Sequence, residues 1–124
     1  MLDGMSLEQL IKRGEIVEGM TFNQKVWALC AQVPAGSVTT YGDIAQALGC
    51  NGARAVGNAL NRNPYAPEVP CHRVVGSDGR LTGFAGGLPA KEALLRAEGV
   101  EVRNGRASLA SRHHFAPVRV RLSA

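Results

Sequence analysis

Tyr41-Gly42-Asp43-Ile44-Ala45-Gln46-Ala47-Leu48-Gly49 and, a few residues on, Ala53-Arg54-Ala55-Val56-Gly57-Asn58-Ala59-Leu60-Asn61-Arg62 decide the fold. Gly42-Asp43 opens a short helix carrying Ile44, Ala45, Ala47 and Leu48, and Gly49 ends it. A second helix runs from Ala53 to about Arg62, where Asn63-Pro64 breaks it, because proline restricts the residue before it. Two short helices across a tight glycine-containing turn read as a helix-turn-helix. At roughly 100° per residue, Val56, Ala59 and Leu60 fall on one side of the second helix, which wants the core. Arg54, Gly57, Asn58 and Asn61 fall on another side, polar and narrow. Gly57 removes the side chain where a partner's backbone would collide. Such a face suits a minor groove only about 6 Å wide. A plain solvated surface with a helix-packing glycine explains it equally well, and this helix alone leaves both readings open.

Working outward, Phe22, Val26, Trp27, Leu29, Cys30 and Val33 recur at helical spacing until Pro34-Ala35-Gly36 stops them. Ser37 to Thr40 is short and extended. Toward the C-terminus, His72 to Val75 and Arg80 to Thr82 flank Gly76-Ser77-Asp78-Gly79, which reads as a hairpin-like wing. A last helix is expected from Leu88 to Glu98 with Leu94 and Leu95 inward, ended by Gly99. Val100 to Ser108 suits one more hairpin around Asn104-Gly105. Residues 1–20 read as an N-terminal appendage whose Ser6-Leu7-Glu8-Gln9 opens a short helix through Lys12, and 21–124 as the domain. The basic tail after Ser111 carries no structural signal. The expected architecture is mainly α with a small β wing, a winged helix-turn-helix of the DNA-binding kind.

Composition removes several classes. The chain has 124 residues, 45% hydrophobic and 19% charged, which suits one folded domain. Aromatic content of 5% argues against stacking platforms for single strands. No apolar run approaches the roughly 20 residues of a membrane span, and the first twenty residues scatter charges where a secretory core would lie. A cytoplasmic protein without membrane association, and a monomer, is the expectation. The net charge of +4 favours polyanionic partners without requiring them. Cys30, Cys50 and Cys71 are too few and too far apart for a disulfide framework or a zinc site. Cys30, inside an apolar helical pattern, reads as a buried small hydrophobe.

Val69-Pro70-Cys71-His72-Arg73-Val74-Val75 carries the chemistry. Pro70 fixes the backbone before Cys71, so the thiol sits on a rigid shelf. A thiol attacks as thiolate and needs a base or a positive field. Neighbouring strand side chains point to opposite faces, so Cys71 and His72 meet only through a tight turn or a bridging water. The imidazole in turn wants a carboxylate to hold its tautomer, and Glu98 is the acid of choice.

These stretches resemble the O6-alkylguanine-DNA alkyltransferase family. The likeness rests on Pro70 to Val75, on Arg54-Ala55-Val56-Gly57 and Asn63-Pro64 before it, and on Gly83-Phe84-Ala85-Gly86-Gly87, Lys91, Leu94-Leu95 and Glu98-Gly99 after it. Thr40-Tyr41-Gly42 and Phe22 to Trp27 extend it over about Thr21 to Val100. The resemblance implies that Cys71 accepts the alkyl group irreversibly from guanine O6, with His72 as the base acting through water and Glu98 as its orienting carboxylate. It implies that Arg54 fills the stack left by the extruded nucleotide, and that Tyr41 supports rotation of the target and helps protonate guanine. Asn63 would bridge the helix-turn-helix to the active-site element. Main-chain carbonyls of Cys71 and Val74 would accept from the guanine amino group. Asn23, Gly42, Asn51 and Ser77 align with DNA-contacting positions, joining Gly57 and Asn58 of the helix face. Gly83, Phe84, Ala85, Gly86 and Lys91 would line the pocket. The implied partner is double-stranded DNA containing O6-alkylguanine, bound through the minor groove, with no metal and no cofactor.

The sequence also departs from the family. The expectation is that the family's usual N-terminal domain is absent, with only the short appendage in its place. Phe84 stands where many members carry tyrosine, and Ala85 where some carry serine. Short relatives, the alkyltransferase-like proteins, bind alkylguanine without repairing it and flag it for excision, but they typically replace the acceptor cysteine. Cys71 is present here and favours the enzyme. A winged-helix transcription regulator would account for the helix-turn-helix but leave Cys71, His72 and Glu98 idle.

Overall fold

The computed structural model describes residues 4–50 and 52–122. Its elements are α1 (Leu7–Lys12), α2 (Phe22–Ala31), β1 (Thr39–Thr40), α3 (Tyr41–Ala47) and α4 (Ala53–Asn61). A 3-10 turn (Cys71–Arg73), β2 (Val74–Val75), α5 (Leu88–Ala97), β3 (Val102–Arg103) and β4 (Arg106–Ala107) follow. The mainly helical helix-turn-helix expected from sequence is therefore present. Ser6 and Thr21 each close a capping box, with Gln9 and Gln24 reaching back to the cap amide, which satisfies two otherwise orphaned donors per helix. Thr40 caps α3 by accepting from the Asp43 amide at 3.0 Å.

The main core joins α1 to α4: Ile11, Val26, Leu29, Ile44, Val56 and Ala59 are buried in one cluster. Trp27 ties α2 to α4 by donating its indole N–H to the Ala59 carbonyl at 2.7 Å. A smaller cluster of Val38, Val75, Leu81, Leu95, Val100, Val102 and Ala107 lies under α5 and the C-terminal hairpin. Truncating a buried leucine such as Leu29 or Leu95 to alanine should cost about 2–5 kcal/mol.

Four expectations need correction. Within the segment read as an N-terminal appendage, Leu10, Ile11, Ile16, Val17 and Met20 are buried in the main core. The wing is not a hairpin of 72–75 against 80–82. Instead β2 pairs in parallel with β1, Thr39 against Val74 and Thr40 against Val75, and Arg80 bridges to Arg106. Cys71 and His72 sit in a 3-10 turn rather than at the start of a strand. Leu95 is fully buried but Leu94 is 38% exposed, because adjacent helical positions diverge by about 100° and cannot both face the core.

The C-terminal hairpin forms where expected, with Asn104 and Gly105 both at positive φ, 52° and 74°. The tail, unreadable in sequence, acts as a strap. Arg112 forks onto Asp43 at 2.7 and 2.8 Å, the His113 amide donates to the Val38 carbonyl, and Arg121 pairs with Val17.

Candidate nucleic-acid interface and acceptor thiol

α4 presents the two faces that its sequence pattern demands. Val56, Ala59 and Leu60 are buried, while Arg54, Asn58 and Asn61 are exposed. A methyl group added at Gly57 would meet only the Tyr41 ring at 3.9 Å, an ordinary contact. Internal packing therefore does not demand the glycine, and the helix-packing alternative loses its support. Arg54 makes no hydrogen bond or ion pair with the described residues. Tyr41, Arg54, Gly57, Asn58, Thr82 and Gly83 border a cleft of about 350 Å³. A neighbouring hollow between α3 and α4 is lined by Gly42 and Cys50 among others. Asn23 in the first turn of α2 and Ser77 in the exposed turn after β2 line neither. Asn51 lies outside the described residues.

One wall of the cleft is a polar knot around a buried lysine. The Tyr41 hydroxyl donates to the Thr82 carbonyl at 3.1 Å. Lys91, fully buried, donates to the same carbonyl at 2.8 Å and to the Tyr41 oxygen at 3.4 Å. Burial without a carboxylate partner brings the Lys91 pKa down to about 8. Burial also pushes the Tyr41 hydroxyl up, against the hydrogen bond to Thr82. Beyond Gly83, Phe84 is half-buried and Ala85 and Gly86 are exposed.

The thiol is set by local geometry. Asn63, just past α4, donates its side-chain amide to the Val69 carbonyl at 2.9 Å and accepts from the Tyr65 amide. The end of the helix is thereby tied to the residue before Pro70. Cys71, partly buried and unpaired, then enters the 3-10 turn, and the Val74 amide donates to its carbonyl. That carbonyl keeps one lone pair. Val74 is fully buried, main chain included, so the structure does not present its carbonyl at the surface.

His72 turns inward, 4% exposed, and its Nε2 lies 3.0 Å from Glu98 Oε2. A carboxylate only accepts, so Nε2 carries the hydrogen and Nδ1 is left to accept. Burial lowers the His72 pKa, and the hydrogen bond to Glu98 opposes this without cancelling it. Glu98, at the C-cap of α5, also receives Arg73: Nε to Oε1 at 2.9 Å and Nη2 to Oε2 at 2.6 Å. Burial works against the Glu98 charge, but the bonds from Arg73 and then His72 prevail and hold its carboxyl below the usual range. Arg73 Nη1 donates to the Val33 carbonyl at 2.7 Å.

His72 and Glu98 are thus joined by a hydrogen bond, with Arg73 on the same carboxylate. Cys71 shares the turn of His72 and Arg73 without a hydrogen bond from its thiol among the described residues. Asn63 ties the end of α4 to Val69 instead, and Tyr41 and Arg54 both border the cleft. Sequence reasoning missed Arg73 and Thr82. Arg73 carried a signal: a half-buried carboxylate at a helix C-terminus opposes the helix dipole and calls for a cation. Thr82 acts through its carbonyl, which no side-chain pattern reports.

Residues 21–100 match the family model described as 6-O-methylguanine DNA methyltransferase, DNA binding domain. The chain belongs to this family. It is similar to the methylated-DNA–protein-cysteine methyltransferase of Methanosarcina acetivorans, 52% identical over 83 residues, which are 66% of this chain and 53% of the relative. The protein of the same name from Mycobacterium tuberculosis is 48% identical over 83 residues, 66% of this chain and 50% of that one. The chain therefore spans about half the length of the curated methyltransferases it matches. Among solved structures, Mycobacterium tuberculosis OGT in complex with DNA superposes with a TM-score of 0.61 at 42% identity, covering 74% of this chain and 63% of that chain. S. pombe Atl1, in complex with damaged DNA containing O6-carboxymethylguanine, gives 0.62 at 34% identity, covering 71% and 87%. In this methyltransferase family member, no helix among the described residues is long and apolar enough to cross a membrane.

Proposed function

We propose that this domain repairs DNA by direct, irreversible transfer of an alkyl group from O6-alkylguanine in duplex DNA to Cys71, one turnover per molecule. The observation that supports the reading is the hydrogen-bonded set His72, Glu98 and Arg73, with a partly buried free thiol at Cys71 in the same turn as His72 and Arg73, together with a helix face that is open at Gly57 and carries Arg54. The helix face enters the minor groove, and the target nucleotide leaves the stack at a cost of a few kcal/mol. Arg54, without a hydrogen bond or ion pair among the described residues, fills the gap and offsets part of that cost.

The Cys71 proton passes through water to Nδ1 of His72, and Glu98 stabilises the resulting imidazolium across Nε2. The thiolate attacks the alkyl carbon, so a S–C bond forms as the C–O6 bond breaks, and guanine leaves with the electron pair. The Tyr41 hydroxyl, released from the Thr82 carbonyl, supplies the proton that neutralises guanine. Lys91 already donates to the Tyr41 oxygen and so stabilises the phenolate left behind. The step needs no metal or cofactor.

A lesion-binding role without transfer is the second reading. It is favoured by coverage, because the chain matches 87% of the S. pombe Atl1 chain but about half of the curated methyltransferases. The free thiol at Cys71 favours transfer. Intact-mass measurement after incubation with O6-methylguanine duplex tests the two directly. A gain of one CH2 on the peptide holding Cys71, absent in Cys71→Ala, is expected. Tight lesion binding with unchanged mass would establish the second reading instead.

A further inference from the structure

Charge is distributed unevenly along the chain. Residues 1–101 hold nine basic and ten acidic side chains, whereas 102–124 hold five arginines and no acid. Two of those five, Arg103 and Arg106, lie in the C-terminal hairpin, beyond the segment that matches the family model. This hairpin docks edge-on against residues 79–81. The Ala107 amide donates to the Gly79 carbonyl at 2.8 Å and the Leu81 amide to the Gly105 carbonyl at 2.9 Å. Gly79 is required there, because a Cβ would collide with the Ala107 carbonyl oxygen.

The register decides what each face carries. Arg103 stands opposite Arg106, and Arg106 opposite Arg80. Directly opposed residues share a face, so the three arginines form one row across three adjacent segments. Leu81, Val102 and Ala107 take the other face and are buried. Burial alternates again at 80–82, with Arg80 and Thr82 exposed and Leu81 inward. The row therefore shares its side of the chain with Thr82, which borders the cleft facing Arg54.

Internal partners do not consume this charge. Asp78 Oδ2 stands 3.6 Å from Arg106 Nη2 and 3.9 Å from Arg80 Nη2, and Glu101 Oε1 is 2.6 Å from Arg103 Nε. Three guanidiniums face two carboxylates, with every side chain about half exposed or more, from 49% to 82%. Such pairs are weak and exchange readily for a phosphate, which a guanidinium grips with two parallel bonds.

We propose that Arg80, Arg103 and Arg106 form an accessory contact to the sugar-phosphate backbone of duplex DNA beside the lesion cleft, adding affinity but no lesion selectivity. This rests on the DNA-repair reading above. The test is equilibrium binding to unmodified and to O6-methylguanine duplexes over a salt series. Wild type is compared with Arg103→Gln/Arg106→Gln, with Arg103→Lys/Arg106→Lys and with Asp78→Asn, which keeps an oxygen to accept from the Arg80 amide. Each phosphate contact contributes about 0.9 to the slope of log K against log salt. The Gln pair should flatten the slope by about 1 to 2, weaken both duplexes alike and leave methyl transfer at saturating DNA unchanged. The Lys pair should keep the wild-type slope, excluding a folding defect, and Asp78→Asn should bind both duplexes more tightly at low salt. A Gln pair with wild-type slope and affinity, while wild type binds DNA normally, overturns the arginine row alone. Wild type failing to bind either duplex overturns the repair reading and this contact with it.

Discussion

Replacing Glu98 by Gln keeps the side chain's size and removes one negative charge where the Cys71 turn, the end of α5 and the segment after α2 converge. Three N–H groups aim at the two Glu98 oxygens: Arg73 Nε at Oε1, and Arg73 Nη2 with His72 Nε2 at Oε2. The best placement of the amide keeps its oxygen at the doubly used position and turns its NH2 against Arg73 Nε, donor to donor. At least one charge-assisted bond is lost, worth about 1.5–3 kcal/mol, and Arg73 is left half-buried without its counter-charge. Stability at neutral pH should fall by about 2–4 kcal/mol, below the usual penalty for a fully buried pair because Glu98 stays 18% exposed. The sign with pH follows from the depressed Glu98 carboxyl. Its stabilisation is present above the ordinary carboxyl range and is lost as pH falls through the folded value, so wild type and variant converge in acid. For transfer, burial already disfavours the His72 cation and Glu98 supplies the opposing pull. Without it the imidazolium is less stable by a similar 1.4–3 kcal/mol, which slows transfer about ten- to a hundredfold near neutrality. The deficit should narrow toward alkaline pH, where the thiol needs the imidazole less. Single-turnover methyl transfer measured across pH for both proteins decides the matter. A variant profile of wild-type shape, scaled only by the folded fraction, would refute the relay and leave Glu98 a purely structural acid.

Arg54→Ala should lose base extrusion, read by a fluorescent base at the target, far more than it loses affinity for unmodified duplex. Lys91→Met should change how stability varies with pH. With a folded pKa of about 8 against an ordinary 10.5, the folded state holds fewer protons between those values. Lys91's own contribution therefore rises with pH through that window, so the difference in urea midpoint, wild type minus variant, should increase across it. Asp43→Asn should cost about 1 kcal/mol at neutral pH, since the Arg112 fork is partly exposed. The hydrogen bond from Arg112 holds the Asp43 carboxyl low, against burial, so this difference should vanish in acid, and the His113 amide should exchange faster at neutrality.

Helices were legible because their signals are local. Capping side chains, a 3.6-residue apolar rhythm and glycines past the last turn lie within a few residues of what they specify. The polar face of α4 was legible for the same reason. The two-residue strands were not, because nothing near Val74-Val75 reveals a parallel partner thirty-odd residues earlier. Gly76-Ser77-Asp78-Gly79 does turn, with the Gly79 amide on the Gly76 carbonyl, but the strand leaving that turn finds its neighbour in Arg106. Arg73 escaped notice because its partners, Glu98 and Val33, are 25 and 40 positions away. The Cys71–His72–Glu98 association was reached through chemical need and family likeness, and periodicity contributed nothing to it.

The strap has a kinetic corollary. The Glu18 amide donates to the Arg121 carbonyl and the Arg121 amide to the Ile16 carbonyl, both at 2.8 Å. The Arg121–Glu15 pair beside them spans 106 positions. Closing so long a loop has a large entropic cost that local helix contacts never face. The knot between these distant segments should therefore form last, once α1 and α2 have built its landing site. In reverse it should open first, with Cys71 and the recognition helix still in place. The connectivity thus predicts an unfolding order: the segments around Ile16 and Arg121 should part while the reactive centre is still intact.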